Sequence, residues 1–397
     1  MRARNIIVAI LLMGGWMTLS AEKIESKYAT NLQCKTCHQQ RSHQWETSRH
    51  AHAHYSKNDL YAKTLDYITS QDLTKTRQEV IVQCAKCHHP RIEKHRLASA
   101  DKLNILLGVD TKQTHEVFDN ANMRNGINCV VCHNVKEIHL DKSGKKRGFE
   151  AVTFGPQGLM YGPFKDAKSP YHKTQYQDFF VNDPNRLCFV CHYSDSNRHG
   201  VTVYATGKEY DAAPGDKPRC VECHMSAKKE GYATNYGHPK KRMVRDHLFA
   251  SIDNSDMYKK YLEISGRVEK GKVVITLKND TPHKIPTGYG LRRIEMKVRF
   301  FGDHDKLLKT VEKNFEAVWV DKNGKRTVPH LAIKLASDTR IPPKSKVTES
   351  IPIPAGTKII NYQLVYRQVS KEMAKRLGVK DPFFTQEYVL KNKVLEP

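Results

Sequence analysis

Beyond residue 17 the chain has no apolar run that approaches the ~20 residues of a membrane span, and only 39% of its 397 residues are hydrophobic. A second crossing of a bilayer is therefore not expected. Cysteine is also missing from every position but one kind. All ten cysteines fall into C-x-x-C pairs, so none is left over for the scattered disulfide framework of a small secreted scaffold. Acidic residues are outnumbered 42 to 66, which leaves a formal charge of +24.

Each cysteine pair is followed at once by histidine. The five repeats are Cys34-Lys35-Thr36-Cys37-His38, Cys84-Ala85-Lys86-Cys87-His88, Cys129-Val130-Val131-Cys132-His133, Cys188-Phe189-Val190-Cys191-His192 and Cys220-Val221-Glu222-Cys223-His224. Two thiols three residues apart lie on one turn and can add to the two vinyl groups of one porphyrin. The histidine that follows then projects its imidazole at the iron. The pattern predicts five covalently attached haem c groups, with the ten cysteines as attachment points and the five motif histidines as proximal ligands. Zinc sites and disulfides are the other readings of such pairs. Structural zinc wants four ligands closed around one ion and gives no reason for a histidine after every second cysteine. Disulfides of the C-x-x-C type are mostly redox-active and do not come in fives.

The N-terminus fits the same compartment. Arg2 and Arg4 precede an apolar run from Ile6 to Met17 that ends near Ser20-Ala21. That is the pattern of a secretory signal peptide over residues 1–21, although Leu19 stands where a small residue is usual. Retention as an N-terminal anchor is the alternative. The mature chain is expected in the periplasm, without a stable transmembrane span. Ten propionates from five haems would offset much of the positive charge. Nucleic acid is the usual partner of so basic a chain, but export and haem argue against it. A basic surface on a redox protein steers acidic partner proteins or anionic substrates, unless it serves only solvation and propionate pairing.

The chain divides in two. Residues 22–260 hold all five motifs and few long apolar runs, which predicts a mainly helical and irregular core whose buried mass is the macrocycles themselves. Thr30 or Asn31 can cap a helix through the first motif, and Ser56-Lys57-Asn58-Asp59 opens another containing Leu60, Leu65 and Ile68. Residues 141–170, with Gly155-Pro156 and Gly162-Pro163, read as a long loop over a haem edge. Residues 261–397 change character. Val273, Ile275 and Leu277 alternate with Val274, Thr276 and Lys278, and Ile294–Phe300 and Ile360–Tyr366 alternate in the same way. Period-two patterning of this kind, with a hairpin turn at Asn323-Gly324, predicts an antiparallel β-sandwich of six or seven strands. The tail from Lys371 is expected to return as a short helix and a final strand.

The stretch from Cys34 to Ala53, with Trp45, Ser48, His50, Ala51 and Ala53 spaced as W-x-x-S-x-H-A-x-A after the motif, resembles the opening of cytochrome c554-type multihaem cytochromes. Gly126-Ile127-Asn128-Cys129 through His133 is similar to a later segment of that family. Tyr161-Gly162-Pro163-Phe164 and Ser169-Pro170-Tyr171-His172 look like linkers of the wider hydroxylamine-oxidoreductase-like group. Thr281-Pro282-His283-Lys284-Ile285-Pro286-Thr287-Gly288 resembles a segment of β-domains fused to such cytochromes. The resemblance implies a mostly helical haem core, bis-histidine irons and close haem packing. It departs from the four-haem prototype in its five motifs and its C-terminal sandwich.

Twelve non-motif histidines precede residue 261, and five irons need five distal ligands. The resemblance favours His50, with His52 and His54 near enough to replace it, and also His172, which follows a proline turn beside Tyr171. His247 follows the last motif in Arg245-Asp246-His247-Leu248-Phe249, His115 and His139 flank the third, and His283 stands beside Pro282.

Irons saturated by two imidazoles cannot bind substrate. The function expected is therefore electron transfer in a respiratory chain, between a membrane quinol-linked donor and a terminal reductase or oxidase. The alternative is an oxidoreductase with one open haem acting on a small nitrogen or sulfur compound. No C-x-x-C-K motif and no recognisable catalytic signature supports it, and no catalytic residue is assigned. A third reading makes the sandwich a docking or polymerising module.

Overall fold

The computed structural model describes residues 30–92, 97–141, 146–254 and 256–397. The signal peptide expected over residues 1–21 lies outside them.

The N-terminal half is built from short helices, each fixed by local capping chemistry. Thr30 and Gln33 form a capping box that starts Asn31–Lys35 just ahead of the first motif histidine. The Asn58 carboxamide accepts the Tyr61 N–H at 2.9 Å and starts Asp59–Gln71. Thr76 and Glu79 cap Arg77–His88, whose last turn is the second motif. The remaining motifs occupy Cys129–His133, the C-terminal end of Asn185–His192, and Cys220–His224. The stretch expected to be one long loop contains two short strands. Val152–Phe154 pairs with Val135–Ile138, and Leu159–Gly162 runs parallel to Lys173–Tyr176. Glycine and proline break this stretch without preventing pairing between the breaks. A further hairpin joins Lys229–Tyr232 to Lys241–Val244.

The C-terminal half is the expected sandwich, with eight strands. Leu262–Glu269, Lys272–Asn279 and Ser345–Pro352 form a three-stranded sheet with Lys272–Asn279 in the centre. The second sheet runs in the spatial order Lys334–Asp338, Leu307–Val320, Arg293–Phe301, Ile359–Arg367, Tyr388–Leu395. All pairings are antiparallel. Alternation places Ile264, Val273, Ile275 and Leu277 of one sheet against Ile294, Met296, Val298 and Tyr362 of the other, all essentially inaccessible.

The other face of the five-stranded sheet is not left to water. Arg367, Glu295 and Lys297 on it are buried, with Arg367 Nε 2.8 Å from Glu295 and Lys297 Nζ 3.1 Å from Glu387. The tail covers this side through helices Lys371–Leu377 and Pro382–Thr385 before its final strand. Ser370 caps the first of these, and Gly378 closes it in the left-handed conformation. The outer side of that helix then meets the N-terminal half. Met373, Ala374, Leu377 and Phe384 share one hydrophobic core with Leu60, Leu65, Ile68, Val80 and Ile81. Each half thus completes a core belonging to the other, and this junction positions the site.

Candidate haem centre

A continuous cavity of about 2340 Å³ runs through the N-terminal half and along its border with the sandwich. All ten cysteines and all five motif histidines line it, and the thiols are free of disulfides. Among the described residues no three His, Cys, Asp or Glu side chains converge as a metal cage, which is what a closed zinc site would need. Six other histidines reach the cavity: His50, His172, His238, His247, His283 and His330.

Five of the six face a motif histidine. Ring centroids are 6.3 Å apart for His38 and His172, 6.1 Å for His192 and His50, 6.3 Å for His133 and His247, and 6.5 Å for His224 and His283. These separations have a direct chemical meaning. An imidazole nitrogen bonds a metal at about 2 Å, so two rings on opposite sides of one metal have centroids about 6 Å apart. Tilted or stacked rings in direct contact would be closer. The remaining motif histidine, His88, has its buried counterpart in His330, whose pKa is lowered by burial and then by His88.

Hydrogen bonding turns the rings the right way. The Nδ1 atoms of His38, His88, His133 and His224 lie 2.7, 3.0, 2.8 and 2.9 Å from the carbonyls of Ala233, Ala53, Tyr161 and Ala250. His172, His247 and His283 do the same to Lys173, Arg245 and Lys284 at 3.1, 3.3 and 2.9 Å. A carbonyl can only accept, so the proton sits on Nδ1 and the Nε2 lone pair is free for a metal. Burial and neighbouring imidazoles hold His50 at about 3 and His192 at about 4. Burial with His133 and Arg41 holds His247 at about 3, and burial with His88 holds His330 at about 4. All four are neutral at ordinary pH, the form that ligates. The donor set fits haem c.

Packing sets each of these histidines. The Ile127 amide donates to His50 O at 3.0 Å, and Trp45 Nε1 in turn grips Ile127 O at 2.7 Å. Gln44 Oε1 accepts the His247 amide at 2.9 Å. The Asn279 carboxamide donates to His283 O, Ile341 O and Pro342 O, which fixes the bend that carries His283. His330 occupies the single turn Pro329–Leu331. Asn197, five residues after the fourth motif, donates to Pro329 O at 2.9 Å and Ala332 O at 2.7 Å and so clamps that turn to the N-terminal half.

The structure places the other candidates elsewhere. His115 is exposed and 3.9 Å from Asp119, and His139 is exposed with Nε2 2.7 Å from Thr153 Oγ1. His52 bonds Ser48 O, and His54 is buried between Ser56 and Phe118 O. None of these four lines the cavity. His330 is the residue that sequence reasoning passed over. Its signal was a Pro329-His330 step inside the sandwich, the same dipeptide as Pro282-His283.

The motifs also meet one another. Cys34 contacts Cys129, Cys87 contacts Cys191, and Cys188 contacts Cys220. Cys132 lies near enough to Cys191 to raise its pKa, after Cys87 and burial. The first motif therefore adjoins the third, the third adjoins the fourth, and the second and fifth both adjoin the fourth. Arg292 lies deep beside His192 and His224 and lowers the pKa of both, less than burial does. Its Nη1 donates to Thr287 O at 2.9 Å, and the residue lines the cavity.

Motif and fold together define the class. Residues 33–134 match the family model of cytochrome c554 and c-prime, which supports a multihaem c-type cytochrome, and a β-domain follows toward the C-terminus. Among solved structures, the fold resembles a penta-heme cytochrome c552 from Thermochromatium tepidum. The TM-score is 0.73 at 19% identity, over 94% of this chain and 100% of that one. Northeast Structural Genomics Consortium target SoR45 overlaps 34% of this chain and 82% of its own at 11% identity, with a TM-score of 0.15, too low to bear on the fold. No curated protein matches the sequence. No helix among the described residues is long and apolar enough to cross a membrane.

Proposed function

We propose that the protein is a pentahaem electron carrier of the periplasm, its irons held by His38 with His172, His88 with His330, His133 with His247, His192 with His50, and His224 with His283. The single observation that carries this reading is the set of imidazole pairs spaced 6.1 to 6.5 Å across one cavity lined by every motif. Haem c supplies a one-electron iron couple when bound. The chain's own residues do the rest. Backbone carbonyls orient both rings in three of the pairs and His88 in a fourth, which keeps ligation there the same in either oxidation state and small the rearrangement on electron transfer. The contacts between motif cysteines support a continuous series of centres that runs first–third–fourth and branches from the fourth to the second and fifth. Arg292, lining the cavity between the fourth and fifth sites, suits a propionate. The apolar run Ile6–Met17 behind Arg2 and Arg4 supports export. A place between a quinol-linked donor and a terminal reductase follows from saturated irons, which pass electrons without binding substrate.

Electron paramagnetic resonance of the oxidised, fully loaded protein tests this. Only low-spin iron is expected, unchanged by nitrite, hydroxylamine, cyanide or sulfite on a short timescale, with five haems per chain by intact mass. A stoichiometric high-spin iron that binds one of these molecules would overturn the carrier reading in favour of an enzyme with one open haem.

A further inference from the structure

The positive charge of the chain is not spread evenly over the cavity's surroundings. Residues 165–174 and 226–245 together carry nine lysines and arginines against two acidic residues, Asp166 and Glu230. The two segments form one surface. Asp166 accepts from Lys240 at 2.9 Å and Arg242 at 2.6 Å, and the Tyr171 and Tyr236 rings meet edge to face at 5.1 Å. Behind this surface lies the His38 site, because Ala233 O holds His38 Nδ1 and the amide of Asn235 holds Cys37 O.

That pair is also the one nearest to solvent. The hydrogen bond that orients His172 is exposed, whereas those orienting the other paired histidines are half-buried. A second recess of about 540 Å³, lined by Pro156, Leu159, Lys168 and Lys173, opens directly onto His172. Within the series of motif contacts the first motif adjoins only the third among the described residues, so it stands at an end rather than at the branch.

The surface has the make-up of a transient docking site. On the hairpin, Tyr232 pairs with Lys241 and Glu230 with Met243, so these four side chains point the same way, away from buried Val244. Tyr232, Tyr236 and Met243 are 42, 52 and 54% exposed, an apolar centre that folding alone does not require. Around it Lys168, Lys173 and Lys228 are exposed and form no ion pair with the described residues. An apolar centre within a rim of unpaired like charges selects a partner of opposite charge and speeds its encounter.

We infer that the face formed by residues 165–174 and 226–245 is the electron port of the protein, docking an acidic redox protein over the His38–His172 site. This rests on the electron-carrier reading and names the partner class for it. An uncharged or basic partner would gain nothing from the rim. A small anion would use the rim but not the apolar centre.

The test compares three forms of the full, haem-loaded chain: wild type, the port variant Lys168→Glu/Lys173→Glu/Lys228→Glu, and a control variant Lys309→Glu/Lys322→Glu/Lys325→Glu with the same net charge on the sandwich. Stopped-flow reduction by an acidic flavodoxin is followed at low and high ionic strength, with ferricyanide oxidation of the reduced protein as the small-anion arm. At low salt the port variant should react with flavodoxin about tenfold slower than wild type, and the control within about twofold, with the difference vanishing at high salt. Tyr236→Ser in the wild-type background should slow flavodoxin about threefold and leave ferricyanide unchanged. Equal slowing of both triple variants overturns the port, as does a port variant slowed with ferricyanide alone. If wild type itself exchanges no electrons with flavodoxin, the carrier reading falls and the port falls with it.

Discussion

Replacing His330 by alanine should open one iron and leave the others closed. The residue sits in a buried turn of the sandwich, and its Nδ1 has no hydrogen-bond partner among the described residues. Its ring is therefore held by packing and by whatever its Nε2 binds. Tyr289 lies 6.4 Å from it, centre to centre, and the Asn197 clamp acts on the backbone, so the turn itself should survive the change. On the proposed count of five haems per chain, one opened iron amounts to about one-fifth of the total turning high-spin, since loss of one imidazole ligand leaves haem iron five-coordinate. After reduction, carbon monoxide should titrate to one equivalent per chain in the variant and to none in wild type. Loss of the packed ring should also cost about 2–4 kcal/mol, as for other large-to-small changes in a core. His115→Ala and His139→Ala serve as controls. Both rings are exposed, and both variants should remain wholly low-spin. If His330→Ala binds no carbon monoxide while either control does, the pairing of His88 with His330 is wrong.

Gly126 has φ +57°, and a Cβ there would lie 2.5 Å from His50 O, so Gly126→Ala should displace His50, cost about 1–3 kcal/mol and raise the high-spin fraction at the haem of the fourth motif. Met373 is fully buried in the core shared by the two halves. Met373→Ala should cost about 2–5 kcal/mol, and far-ultraviolet and Soret dichroism should still report one coincident unfolding transition; two separated transitions would show that the halves fold independently. Asp338 is partly desolvated, which opposes its ionisation, but Arg340 and Lys284 prevail and hold it at about 2 against 3.8. A carboxyl depressed on folding stabilises above its unfolded pKa and loses that contribution as pH falls through the folded one. Between pH 4 and 2 the protein should therefore lose about 1–2 kcal/mol through this group, discounted for its partial exposure, and Asp338→Asn should remove that part of the acid dependence in denaturant titrations.

The motifs were legible because their chemistry is local: two thiols and an imidazole within five residues specify one porphyrin. The strands were legible for the same reason, since Val273, Ile275 and Leu277 declare a buried face by spacing alone. What lies opposite each motif histidine is another matter. His50 stands in a recognisable patch, and His172 and His283 follow proline turns, so sequence singled them out, and the structure sets each against a motif histidine. His115 and His139 were chosen for closeness in sequence to the third motif, and sequence closeness does not bring a side chain into a cavity. His330 was passed over because Pro329-His330, deep in the strand-rich half and far from every motif, reads as an ordinary turn. The burial of Glu295, Lys297 and Arg367 could not be read either. Alternation marks those positions as outward, and only the returning tail shows that outward here means interior.

The junction also sets an order in time. A chain emerges from its N-terminus, so all five Cys-His motifs are exposed before His283 and His330 exist. On the proposed pairing, the second and fifth sites wait for partners from the last third of the chain, and the wait at the second spans more than two hundred residues. Closing contacts so distant in sequence is slow. During that interval two irons would be half-dressed and open to any small ligand or oxidant in the compartment. A nascent or truncated form would then have the very reactivity that the proposed ligation closes off, and the sandwich would act as the latch that ends it.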